Sequence, residues 1–202
     1  MTVVAILAGG RSSRMARPKA MVELGGRPLI SYPLRAAREA GLEALVVAKR
    51  GSQLPQLECE VVLEPREPTH PLAGILAALG AAAARVPSSS VIALGCDMPF
   101  VNGELLSALA RRDPPAAVAR DGGLEPLLAL YGQDQRESLA AALERRAPLR
   151  AALTALRPDL IDERELVRFG DPARLSFSVN SATDLERAEA MLAGGALDAD
   201  AG

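Results

Sequence analysis

Residues 3–19 read VVAILAGGRSSRMARPK. The first six of these, VVAILA, are wholly apolar and rich in β-branched side chains. Such a run marks a strand covered on both faces, as in a parallel sheet. A loop from Gly9 to about Pro18 follows, rich in Gly, Ser and Arg. Similar apolar runs recur at 44–48 (ALVVA), 59–63 (CEVVL) and 90–95 (SVIALG), the last ending at Cys96–Asp97. Helix-length segments lie between them. Pro28 suits the first turn of a helix to about Ala40, with Gly41 as its stop, and the alanine-rich stretch from Leu72 to about Arg85 is a second helix. Strands alternating with helices imply βαβ units, hence an α/β fold with an open, mostly parallel sheet.

The rest of the chain extends that pattern. AMVEL (20–24) suggests a short strand before a Gly25–Gly26 turn. Asn102 can cap a helix to about Arg112. AAVA (116–119) and EPLLALY (125–131) flank an Asp121-Gly122-Gly123 turn and suggest neighbouring strands. Leucine and alanine spacing predicts helices at 133–146 and 148–156, whereas 157–179 has no clear period. Thr183 with Glu186 forms a capping-box pattern for a last helix, 184–193, and residues 195–202 are expected to fray. No repeat or linker interrupts this order, so a single domain over 1–194 is expected.

Composition narrows the function. The chain has 202 residues, 49% of them hydrophobic, and 23 basic against 25 acidic side chains. A chain of this length should bury roughly 70% of its unfolded surface, which argues against global disorder. Near-neutral charge with three Phe, two Tyr and no Trp argues against a nucleic-acid binder. Cys59 and Cys96 sit in apolar, strand-like contexts, and the one histidine, His70, joins them in no familiar zinc spacing. The opening MTVVAILAGG lacks a cationic leader, and its apolar run is too short for a membrane span. A cytoplasmic protein with reduced thiols is the expectation.

Two strand ends carry unusual chemistry. In LAGGRSSRMARPK (7–19), Gly9 and Gly10 allow the backbone to approach a phosphate, and Arg11, Arg14, Arg17 and Lys19 surround it with cations. A nucleoside triphosphate suits that combination; the alternative is a solvated basic loop. The stretch is neither a Walker motif nor GxGxxG, so a dehydrogenase is disfavoured. In GCDMPF (95–100), Asp97 would project from the end of a strand, where a carboxylate can hold Mg²⁺. The alternative there is an Asx turn or a helix cap. The pairing of the two features favours the metal reading.

With ELGGRPLI (23–30), the opening motif resembles the signature of the nucleotidyltransferase superfamily. HPLAGIL (70–76), GCDMPFV (95–101), EPLLALY (125–131) and SVNSATDLERAE (178–189) are similar, in order and spacing, to segments of molybdenum cofactor guanylyltransferases of the MobA type. The resemblance spans residues 3 to about 193. It implies a Rossmann-like twisted sheet flanked by helices and a Mg²⁺-dependent transfer of GMP from GTP to the phosphate of molybdopterin. By similarity, Leu7, Ala8, Gly9 and Gly10 contact the nucleotide, Lys19 and Arg14 lie along its phosphates, and Asp97 holds Mg²⁺. Pro71, Leu72, Ala73 and Gly74 would form a loop beside base and ribose, with Asn180 near the acceptor. Transient contact with proteins that deliver the cofactor or mature molybdoenzymes is also implied.

Departures from the family's pattern fall at Ala16, Pro18, Ala48, Pro65 and Ser178. Ala48 and Pro65 stand near positions where guanylyl enzymes often carry Asn and Asp for the nucleoside, so a cytidylyl sister activity stays open. A transferase acting on another phosphorylated acceptor and a non-catalytic nucleotide-binding regulator also remain. Among the remaining candidates, His70 reads as an exposed loop side chain or a ribose or phosphate contact. Cys96 reads as an inert buried thiol. Glu125 reads as an edge-strand glutamate or an acceptor contact. Arg111–Arg112 and Arg145–Arg146 suit the negative ends of helices.

Overall fold

The computed structural model describes residues 1–9, 18–120 and 122–199. Gly10, Arg11, Arg14, Ala16, Arg17 and Asp121 fall outside these. Strand β1 (Thr2–Leu7) leads to a one-turn 3₁₀ helix, Lys19–Met21, and a short hairpin of β2 (Glu23–Leu24) and β3 (Arg27–Pro28). Gly25 and Gly26 make its turn at φ 55° and 71°, the doubly positive geometry of a two-residue hairpin loop. Pro28 therefore pairs with Glu23 in this hairpin, not in the first turn of a helix. Helix α1 (Ser31–Glu39) begins later, and Gly41 (φ 67°) follows its C-cap as expected.

Next come β4 (Glu43–Ala48), β5 (Glu60–Leu63), α2 (Pro71–Arg85) and β6 (Ser90–Gly95), close to the expected bounds. Asn102 caps α3 (Gly103–Ala110) by accepting the Leu105 N–H at 3.0 Å. Strands β7 (Ala116–Arg120) and β8 (Gly123–Tyr131) pair antiparallel. A 3₁₀ turn, Gln133–Gln135, precedes α4 (Arg136–Glu144) and α5 (Leu149–Ala155). The segment without a clear period holds β9 (Asp159–Ile161), α6 (Glu163–Leu166) and α7 (Pro172–Leu175). Helix α8 (Ala182–Ala199) starts two residues before the expected position and stays helical past 193. Its first turn is closed by Ser181 and Asp184, which replace the expected Thr183–Glu186 pair: the Asp184 N–H donates to Ser181 Oγ at 3.1 Å, and the Ser181 hydroxyl to Asp184 Oδ2 at 2.9 Å.

Among the described residues, seven strands form one sheet in the order β5-β4-β1-β6-β8-β7-β9. β5, β4, β1 and β6 run parallel, β8 is antiparallel to both neighbours, and β7 and β9 are parallel. Period-two alternation splits the strand residues between two cores. Val4, Ile6, Val46, Ile92 and Leu94 pack with α1 and α3, while Val3, Ala5, Leu45, Val91 and Ala93 pack with α2, α4 and α5. A third, smaller core joins Leu24, Leu29 and Tyr32 to Val179 and Ala188 of the α8 region. The hairpin and α8 are thereby packed against each other.

Candidate active site

The topology dictates where a ligand can sit. From β1 the chain crosses to β4 and β5 on one side, then returns to β6 on the other. This reversal opens a crevice beyond the carboxyl ends of β1 and β6, the usual binding place in open α/β sheets. Leu7 and Gly95, paired in register, mark its floor. A pocket of about 330 Å³ lies there, large enough for a small ligand.

Asp97 reaches the crevice because β6 ends in a tight turn. The Met98 N–H returns to Gly95 O at 3.3 Å, and the Cys96 N–H donates to Leu7 O at 3.3 Å. A Cβ on Gly95 would lie 2.5 Å from Asp97 Oδ1, so only glycine lets the carboxylate fold back over the strand end. Lys19 enters from the 3₁₀ turn. Its ammonium donates to Asp97 Oδ2 at 2.6 Å and to Asn180 Oδ1 at 2.6 Å. The Lys19 and Asp97 side chains are each 16% exposed, hence largely sheltered yet open to the pocket. Asn180 is held from behind, since its N–H donates to Asp184 Oδ2 at 3.0 Å and the Val179 N–H donates to Asp97 O at 2.9 Å. The Ser181 hydroxyl and the backbone N–H groups hold the Asp184 carboxyl below the usual aspartate value.

The other end of the pocket is built by β4, β5 and α2. Lys49 donates to Thr69 Oγ1 at 2.8 Å. His70 is the N-cap of α2, its Nδ1 accepting the Leu72 N–H at 3.2 Å, and it also lines the pocket. Pro71, Leu72, Ala73 and Gly74, expected as a loop, are instead the first turn of α2. Leu72 and Ala73 are buried in packing, so of these four only Pro71 faces the pocket. Gly74 is closely approached: a Cβ would sit 3.0 Å from Glu64 Oε2 and 3.3 Å from Leu7 Cδ2, so those side-chain ends would have to shift. Burial pushes the Glu64 carboxyl up from the usual value, and Lys49 opposes that shift.

The structure thus brings together Leu7, Gly9, Lys19, Pro71, Asp97 and Asn180. The Ala8 N–H is already engaged with Val47 O at 2.8 Å. Gly10 and Arg14 lie outside the described residues. Burial, reinforced by Asp97, pushes the Cys96 thiol up to about 12, so it is no nucleophile at neutral pH. Glu125 is on β8, between β6 and β7 and not at a sheet edge, and lies 3.9 Å from Arg150. Glu64, Lys49 and Thr69 were not singled out from sequence. A usable signal was the position of Glu64 directly after a parallel strand, where ligands bind.

Residues 4–160 match the profile of the MobA-like NTP transferase domain. The chain belongs to this family. As a MobA-like NTP transferase it is a nucleotidyltransferase enzyme. It is 36% identical over 170 residues to a "probable molybdenum cofactor guanylyltransferase" of Opitutus terrae, covering 82% of this chain and 75% of that one. A molybdenum cofactor guanylyltransferase of Pseudomonas putida is 33% identical, covering 85% of this chain and 94% of its own. The crystal structure of molybdopterin-guanine dinucleotide biosynthesis protein A from Archaeoglobus fulgidus superposes with a TM-score of 0.77 at 27% identity, covering 95% and 99% of the two chains. No helix among the described residues of this MobA-like transferase is long and apolar enough to cross a membrane.

Proposed function

We propose that this chain transfers GMP from GTP to the phosphate of molybdopterin, metal-free or carrying molybdenum, and releases pyrophosphate. The observation that carries the proposal is the Lys19–Asp97–Asn180 cluster at the switch point, in a chain whose similarly built relatives are named for that reaction. Residues 1–194 would be the transferase domain.

The donor set suits Mg²⁺ that arrives with a nucleotide. Among the described residues no cluster of three or more His, Cys, Asp or Glu side chains could cage a metal ion. Mg²⁺ needs no such cage: it keeps several waters and is commonly held by one or two carboxylates together with substrate phosphates. Asp97 would supply that carboxylate. Bound there, the ion would neutralise charge on the α-phosphate and the leaving pyrophosphate.

The chain's own residues do the rest by positioning and electrostatics. The acceptor phosphate attacks the α-phosphorus as pyrophosphate leaves on the opposite side. Both reactants are anions, and a phosphate monoester is already a nucleophile at pH 7, so no general base is needed. Lys19 would turn from Asp97 towards the phosphates and offset charge on the leaving group, helped by Arg14. Leu7, Ala8, Gly9 and Gly10 would follow the nucleotide with their backbone, and Asn180 would face the acceptor. Pro71 would border the nucleoside.

Thermal denaturation with GTP, CTP, ATP and UTP, each with and without Mg²⁺, tests this reading. At a hundredfold excess over Kd, GTP with Mg²⁺ should stabilise the fold by about 2.7 kcal/mol, raising Tm by about 5–10 °C. A shift with CTP alone, or with none of the four, would contradict it.

A further inference from the structure

The sheet has two edges, and they are guarded unequally. At one side β9 is three residues long, its Asp159 is held by Arg112 at 2.5 Å, and α6 starts two residues beyond it. The other edge is β5, which pairs only with β4. Just past that strand, the Glu64 N–H donates to Ala48 O at 3.0 Å. Peptide groups alternate in direction along a strand, so Glu60, Val62 and Glu64 bond inward to β4 while Val61 and Leu63 turn theirs outward. These outward groups have no backbone partner among the described residues. Neither Lys nor Pro, the usual blockers of an open edge, stands on β5.

The same two residues carry open apolar side chains. Val61 is 41% exposed and Leu63 49%. Val61 stands in register with Val46, so both side chains emerge on the α1 face, whereas Val62 packs on the α2 face. Charge is polarised along the segment: exposed Glu58 precedes the strand and exposed Arg66 follows it. Glu58 has only a loose pairing with Arg38, at 4.0 Å. Glu60 is neutralised by Arg85, and the Glu64 carboxylate is turned inward over Gly9.

We infer that β5 pairs antiparallel with β5 of a second copy of this chain, about a two-fold axis through Val62 and perpendicular to the sheet. In that register Val61 and the partner's Leu63 exchange both N–H···O bonds. Symmetry repeats the exchange, so the outward peptide groups of both strands are satisfied. Val61, Leu63 and their copies close one apolar cluster on the α1 face, the kind of cross-strand contact that stabilises sheets. Val62 faces the partner's Val62 on the other side. Beyond the strand ends, Glu58 comes opposite the partner's Arg66, and Arg66 opposite the partner's Glu58. The antiparallel register therefore matches charge as well as apolar surface. Glu60 comes opposite the partner's Glu64, a like pair weakened by Arg85 and by the inward turn of Glu64. The contact is isologous and closes at two copies. Two seven-stranded sheets join into one of fourteen, within the span of large α/β enzymes. Because the joined strands run in opposite directions, the two crevices open at opposite ends of the strands and neither is covered.

A short edge contact belongs at the weak end of protein interfaces, so the dimer should form reversibly as concentration rises. Sedimentation equilibrium of the wild type and of Val61→Lys, over a wide range of concentrations, tests the pairing. The wild type should double in mass. Val61→Lys sets an ammonium into the apolar cluster and should weaken association by about tenfold or more. A second variant, Val62→Cys with Cys59→Ser, tests the register without disturbing the edge. Directly opposed positions of a non-hydrogen-bonded pair hold their Cα atoms about 4.5 Å apart, within disulfide range. Mild oxidation should therefore link its two copies covalently, since the remaining Cys96 is buried. A wild type that stays monomeric at every concentration would overturn the inference. So would a dimer that Val61→Lys leaves intact, or one that the Val62→Cys chain forms without becoming cross-linked. Each of those results leaves guanylyl transfer standing, because no residue of β5 belongs to the Lys19–Asp97–Asn180 cluster.

Discussion

A single ammonium group, that of Lys19, is shared by Asp97 and Asn180, residues 78 and 161 positions away in sequence. Asp97 and Asn180 both accept from the ammonium, so a largely sheltered cation and carboxylate coexist without an unpaired charge. Glu64 is in the opposite condition. Its carboxyl lies above the ordinary glutamate value because burial disfavours the charge, with Lys49 offsetting part of that effect. The native state therefore keeps the proton to higher pH than the unfolded chain does. The stabilising contribution is complete below about pH 4.3, the unfolded value, and is lost as pH rises through the folded one. Glu64→Gln, neutral at every pH, should consequently melt above the wild type at pH 7.5 and together with it near pH 4. Melting curves across that range check this, and a pH-independent difference would contradict it.

Helix α2 brings its first turn so near β1 and β5 that Gly74 has no room for a side chain without displacing one. The nearest atoms, Glu64 Oε2 and Leu7 Cδ2, end flexible side chains and can yield. Gly74→Ala should therefore leave Tm almost unchanged, because about 1 kcal/mol of helix propensity offsets the crowding. The same change should push Glu64 aside and raise the KM for GTP several-fold; an unaltered KM would show that this contact does not shape the nucleotide site. The elements also show what a sequence can tell. SVIALG was legible as β6 because an apolar run in a parallel sheet is covered on both faces. Of the hairpin, the Gly25–Gly26 turn and a strand ending at Leu24 were legible, but β3 was not, since proline's fitness for a helix start competed with the pairing of Pro28 to Glu23 that prevails. The short β9 and α6 have little local pattern and are tied down by tertiary contacts: Arg112 bonds Asp159 at 2.5 Å and Glu165 at 2.6 and 2.7 Å. That network gives Arg112 a role beyond complementing a helix end.

For the whole molecule, strand order is the cause and the site its consequence. Reversal of the winding at β1 and β6 leaves the crevice, and the third core packs α8 against the β2–β3 hairpin so that Asn180 can reach Lys19. The glycine-rich strand end and Asp97 were readable from residue type, because strand ends are where such chemistry is useful. The resemblance placed Lys19 along the phosphates and Asn180 near the acceptor, but their hydrogen bond was not readable, since no local rule links residues so far apart. Glu64 carries no motif and emerged from packing. The central claim is that these parts together transfer a guanylyl group, and turnover tests it most directly. Wild type and Asp97→Asn would each be incubated with GTP, Mg²⁺ and molybdopterin, with pyrophosphate and the dinucleotide product both quantified. The wild type should release one pyrophosphate for each dinucleotide formed, only with Mg²⁺, and Asp97→Asn should be slower by about 10²–10³-fold, as for loss of a group stabilising transition-state charge. Turnover with CTP in place of GTP, or an Asp97→Asn variant as fast as the wild type, would contradict the account.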